Sequence, residues 1–116
     1  MSKKQRSLDY DQCLALMRKH DPQLQEEGFH ALLQHAAAHV DALMTDFGRE
    51  TDHGLRCWLL ELIGEARSPR AFGLLAEQLA SPDESLRDWG IRGLRALDTP
   101  EARKALFEAG VAKQGS

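Results

Sequence analysis

The chain has 116 residues, of which 28% are charged and 42% belong to the apolar set, with glycine and proline sparse; this is the composition of one compact domain that folds without metal or disulfide staples. No run of 18 apolar residues occurs, which excludes a membrane-spanning helix. The formal charge is −3, and setting aside Lys3, Lys4 and Arg6 leaves twelve basic against eighteen acidic residues, a body of −6 that repels phosphate backbones and argues against nucleic acid as a partner.

Residues 1–7 read as a flexible basic N-terminus. The head resembles the start of a signal peptide, but Asp9 and Asp11 fall where an apolar core would be required. Apolar positions at the helical period then predict seven helices, over about 8–19, 22–35, 38–47, 53–65, 69–80, 83–96 and 100–109, with 110–116 as a flexible C-terminus. Several starts are marked by a capping side chain followed by proline: Asp21-Pro22, Ser68-Pro69 and Thr99-Pro100. Ser81 with Glu84 three residues on reads as a capping box. Gly48, Gly54, Gly64 and Gly110 read as helix terminators or loop residues, Gly90 and Gly93 as points of close helix approach.

The most informative feature is internal. Leu55-Arg56-Cys57-Trp58-Leu59-Leu60-Glu61-Leu62-Ile63 aligns with Leu86-Arg87-Asp88-Trp89-Gly90-Ile91-Arg92-Gly93-Leu94 at a spacing of 31. Asp52 and Asp83, Pro69 and Pro100, Ala71 and Ala102, and Leu75 and Leu106 keep the same offset, and a fainter copy begins at Asp21. A period in this range signals stacked pairs of helices. The first helix is then an atypical cap, followed by repeats over about 21–47, 52–80 and 83–109, all within one domain spanning 8–109.

On these residues the chain resembles the HEAT-like repeat family. Asp52, Leu55, Arg56, Leu59, Leu62 and Ile63 match its signature, as do Asp83, Leu86, Arg87, Gly90, Gly93 and Leu94; Gln25 stands where the upstream copy would need the arginine. The resemblance implies an all-α fold, a short right-handed α-solenoid, with a scaffold or binding role and no reaction of its own; relatives include immunity or regulatory partners, lyase-like proteins and DNA glycosylases.

Asp52 with Arg56 and Asp83 with Arg87, each four apart, suit ion pairs in the first helical turn, or the arginines reach the neighbouring repeat and cap its carbonyls. Trp58 and Trp89 pack between repeats or, for Trp89, anchor a partner. Cys13 and Cys57 are expected to be buried free thiols suited to a reducing, cytoplasmic setting. His35 and His39 share a spacing seen in metal sites but lack the accompanying glutamate, and Glu61 and Glu65 share a helix face without an opposed carboxylate. No metal, cofactor or catalytic residue is therefore assigned.

The expected site is the concave face formed by the second helices. Its candidate protein-binding residues are Asp41, Thr45, Arg70, Glu77, Arg103, Lys104, Phe107 and Glu108, with Trp89 as a further anchor. The face begins acidic at Asp41 and Asp46, mixes at Arg70 and Glu77 and ends basic at Arg103 and Lys104, so a partner with a basic segment fits its acidic end. A non-enzymatic protein-binding module is the reading this supports. The alternatives are a self-associating structural subunit, marked by exposed Phe72 or Phe107, and a lyase-like or other enzyme with a helical-repeat pocket; monomer and homodimer both remain open.

Overall fold

The computed structural model describes residues 8–111, so the sequence readings of residues 1–7 and 112–116 as flexible termini lie outside the described residues. Among the described residues the fold is all-α and strand-free. It comprises α1 (Tyr10–Met17), α2 (Pro22–Leu33), α3 (Val40–Arg49), α4 (His53–Glu65), α5 (Phe72–Glu77), α6 (Glu84–Leu97) and α7 (Pro100–Glu108). Short 3-10 segments, Ala36–His39, Pro69–Ala71 and Gln78–Ala80, precede α3 and flank α5. No helix among these residues is long and apolar enough to cross a membrane.

Capping side chains set most of the starts. Asp21, Asp52, Asp83 and Thr99 accept from backbone N–H groups of the first turns of α2, α4, α6 and α7, and Ser68 does the same for the 3-10 turn that opens at Pro69. The capping box falls at Asp9 and Gln12, not at Ser81 and Glu84. Ser81 Oγ instead accepts the Asp83 N–H, and Asp83 is itself the cap of α6. The predicted helix over 69–80 is a single α-helical turn and a half between two 3-10 turns, because the Pro69 start and the tight exit at Gln78 leave only Phe72–Glu77 with α-helical bonding.

Packing divides the chain into two units, residues up to His35 and residues from Ala36. In the first, α1 packs on α2, and Gly28 permits the contact: a Cβ there would stand 2.5 Å from the Cys13 carbonyl oxygen. In the second, α4 and α6 pack against each other, α3 lies on α4, and α5 and α7 lie on α6, with α5 also touching α7. Leu43, Leu59, Leu60, Leu62, Ile63, Leu75 and Leu94 are the largest fully buried side chains of this unit, and Phe47 is buried with them.

The α4–α6 crossing is unusually close. Gly64 faces Gly93, and a Cβ on Gly64 would lie 3.0 Å from the Gly93 Cα. Gly64 is thus a buried residue inside α4, in correction of its reading as a terminator; Gly48 and Gly54 also lie within helices. Gly110, at φ +79°, does end α7 in the left-handed conformation that favours glycine.

Candidate functional site

The α4 and α6 starts contain the motif residues. Asp52 Oδ2 accepts from the Leu55 N–H at 2.9 Å and Asp83 Oδ1 from the Leu86 N–H at 3.0 Å, the same cap at both repeat positions. Neither aspartate takes the arginine four residues on, which corrects the expected ion pairs, since a capping carboxylate is turned back toward the first N–H groups. The Arg56 guanidinium stacks over the Phe47 ring at 4.2 Å, its Nε buried without a hydrogen-bond partner. Arg87 reaches backwards instead, donating to the Ser81 carbonyl oxygen at 2.8 Å.

A further grouping escaped the sequence reading. His53 Nε2 lies 2.8 Å from Asp83 Oδ2 and 3.7 Å from Cys57 Sγ, so the first turns of α4 and α6 are linked by a histidine–carboxylate contact beside a thiol. The signal was present as the i,i+4 spacing of His53 and Cys57 and as the repeat that sets Asp83 opposite them. Cys57 is half-buried, not buried as expected, because it faces this polar edge. Burial, and then the Asp83 charge, push its thiol up, while Arg56 opposes them. Asp83 is held below the ordinary carboxylate range, first by the Leu86 N–H and next by His53. Both partners of the imidazole meet the same ring nitrogen, whereas a nucleophile–base–orienter relay uses the two nitrogens separately. The contact joins the starts of α4 and α6 and leaves the thiol raised rather than lowered. Cys13, by comparison, is buried, and burial followed by Asp9 raises its thiol.

The outward residues of α3, α5 and α7 form the second candidate site. Asp41, Thr45, Arg70, Glu77, Arg103, Lys104, Phe107 and Glu108 are all exposed. Arg70 donates through Nε and one terminal nitrogen to the two Asp41 oxygens, at 2.9 and 2.8 Å. This bidentate pair ties the start of the α5 segment to α3 and neutralises Asp41 within the expected charge gradient. At the other end Arg103 pairs with the Asp98 side chain at 2.8 Å and with its carbonyl oxygen at 2.9 Å, and Lys104 stands 3.4 Å from Glu108 one turn along. Phe107, with 82% of its surface exposed, is the most exposed large apolar side chain among the described residues; Phe72 is half-buried.

Trp89 belongs to a different group. It is half-buried on α6, with the Arg92 guanidinium 4.8 Å over its ring, and it lines a shallow cleft with Glu61 and Glu65 of α4 above the Gly64–Gly93 contact. Trp58 is also half-buried. The histidines singled out by their spacing lie elsewhere: His35 follows α2, and His39 ends the 3-10 segment before α3. Among the described residues, no group of three or more His, Cys, Asp or Glu side chains is arranged to hold a metal ion. Comparison with protein-family models, curated proteins and solved structures found no match.

Proposed function

We propose that the chain is a short HEAT-like helical-repeat protein, a right-handed stack of helix pairs, that binds a partner protein through the outward face of α3, α5 and α7. The repeat reading is supported by three features. The signature recurs at a spacing of 31, Asp52 and Asp83 cap their helices alike, and α4 and α6 pack together while α3, α5 and α7 lie against them. The two free cysteines, Cys13 and Cys57, fit a reducing, cytoplasmic setting.

Phe107 carries the functional reading. An exposed phenylalanine leaves about 2–3 kcal/mol of burial free energy unused, and aromatic side chains dominate the centres of protein interfaces. Around it, Arg103 and Lys104 are each paired within the chain, so a rim of charge already ordered by Asp98 and Glu108 surrounds the ring. The interaction therefore rests more on Phe107 than on the basic-segment partner the charge gradient suggested, since Arg70 occupies Asp41.

The test is to capture a partner with the full chain, rebuild the complex from purified components and map amide exchange with and without it. Protection on α3, α5 and α7, with affinity reduced by about 30-fold or more in Phe107→Ala, is the expected result. A complex that protects other helices and is indifferent to Phe107→Ala would overturn the assignment.

A further inference from the structure

We infer that α7 is a self-association helix: two copies of the chain pair their α7 helices antiparallel across a two-fold axis, through Arg103, Lys104, Phe107 and Glu108. The inference rests on the reading of this face as an interaction surface and names its occupant. In α7, Ala102 is buried and Ala105 and Leu106 are half-buried, so these four residues make up the outward stripe of the helix's middle and last turns. All four are well exposed, Arg103 by 59%, Lys104 by 74% and Glu108 by 62% of their side chains, and Phe107 by 82% overall.

The order of chemistry along the stripe identifies the partner. Two cations lie at its N-terminal end, and an aromatic ring and an anion at its C-terminal end. A two-fold axis between residues 105 and 106 sets Arg103 of each copy opposite Glu108 of the other, and Lys104 opposite Phe107. Every exposed group of the stripe then meets a complementary one: guanidinium on carboxylate, and a lysine stem and ammonium over an aromatic face. An isologous contact requires a surface that complements itself in this way. Parallel pairing would instead set Arg103 on Arg103 and Glu108 on Glu108, and the antiparallel arrangement also opposes the two helix dipoles.

Within one copy the groups are held in positions compatible with this exchange. The Lys104–Glu108 contact, at 3.4 Å, is long and exposed, so Glu108 can leave it for the other copy's arginine. Arg103 is fixed by two hydrogen bonds from a single terminal nitrogen to Asp98, which leaves its other donors for a second carboxylate. A single helix pair buries an area at the low end of specific interfaces, so the dimer is weak and concentration-dependent.

Sedimentation equilibrium of the full chain from about 10 µM to about 1 mM, at low ionic strength, tests this. The expected result is a monomer–dimer equilibrium that weakens as salt is added. Phe107→Glu abolishes it, Arg103→Glu weakens it by about tenfold or more, and the double exchange Arg103→Glu with Glu108→Arg restores it, because the swapped charges again face each other. Circular dichroism of each variant confirms that α7 remains folded. A monomer throughout the range, or a dimer indifferent to Phe107→Glu and to the charge exchange, overturns the inference. Should the chain stay monomeric while a complex with a different protein depends on Phe107, the interaction face stands and only self-association falls; if neither depends on Phe107, both fall.

Discussion

Residues 52–80 and 83–109 carry one signature 31 positions apart, yet they fill the same buried positions in opposite ways. In α4, Leu59 and Leu62 are fully buried side chains; the matching residues of α6 are Gly90 and Gly93, where the space is taken by approaching neighbours. A Cβ on Gly90 would stand 2.8 Å from Gln78 Cβ and 3.0 Å from the Leu75 carbonyl oxygen, and one on Gly93 2.7 Å from Leu75 Cδ2. Volume supplied by a side chain in one copy is supplied by helix proximity in the other. The arginines diverge similarly, Arg56 onto Phe47 and Arg87 onto the Ser81 carbonyl, whereas both aspartates accept from the backbone N–H three residues on. Repeated residues keep one role where that role is local and change it where it depends on the neighbouring helix.

The largest effects should come from reversing how each copy fills its space. Leu59→Ala removes a fully buried side chain and should lower stability by about 2–5 kcal/mol, read from the urea midpoint. In the other copy the sign of the change in volume reverses while the consequence does not. Gly90→Ala drives a methyl into the Leu75 backbone and the Gln78 stem, an overpacking cost of about 1–3 kcal/mol that the better helix propensity of alanine offsets by about 1 kcal/mol. A net loss of about 0–2 kcal/mol is expected; a gain in stability would mean that α5 can retreat from α6 and that the close approach is not a constraint.

The caps give the next comparison. Asp52→Ala should cost about 1 kcal/mol, the usual loss for a capping side chain. Asp83→Ala should lower the melting temperature further, because it releases His53 as well as the Leu86 N–H, and His53→Ala should account for the difference. Equal melting temperatures for the two alanine variants would show that the histidine contact adds nothing. The same carboxylate predicts an acid response. Since the Asp83 pKa is lowered in the fold, its contribution is complete above its unfolded value, about 3.9, and is lost as pH falls through the lower folded value. Melting curves between pH 5 and pH 2 should therefore fall less steeply at the acid end for Asp83→Asn than for the unaltered chain.

Helix positions were legible in the sequence because the apolar period and the capping residues are local signals: α4 falls on its expected span, and Asp21, Ser68 and Thr99 cap where predicted. What could not be read there depended on a second helix. Gly93 was legible as a point of close approach, but Gly64 looked like a terminator because the two glycines lie 29 positions apart and nothing in a linear pattern pairs them. Likewise the Asp52–Arg56 and Asp83–Arg87 spacings suit ion pairs, and only the competing N–H groups and the nearby Phe47 and Ser81 decide otherwise. In the candidate site, exposure was read correctly for Phe107, whereas the pairing of Arg70 with Asp41 was not legible because the two residues lie in different repeats.

The smallest effect should come from that pair, although its geometry is the most regular in the molecule. Arg70 and Asp41 form two parallel hydrogen bonds, but their side chains remain 67% and 64% exposed, so water competes for both and salt screens them. Arg70→Ala should change the melting temperature little at low ionic strength and not measurably at about 0.5 M salt. Its effect should appear in binding, because the change releases the Asp41 carboxylate from its partner and makes the α3 end of the face more acidic. A partner with a basic segment would then bind more tightly to Arg70→Ala than to the unaltered chain, and titration calorimetry with such a partner would measure the gain. If instead Arg70→Ala melts far lower, the second helices are held side by side by charge. In that case the apolar contacts of α3, α5 and α7 with α4 and α6 are not sufficient to set the face that carries Phe107.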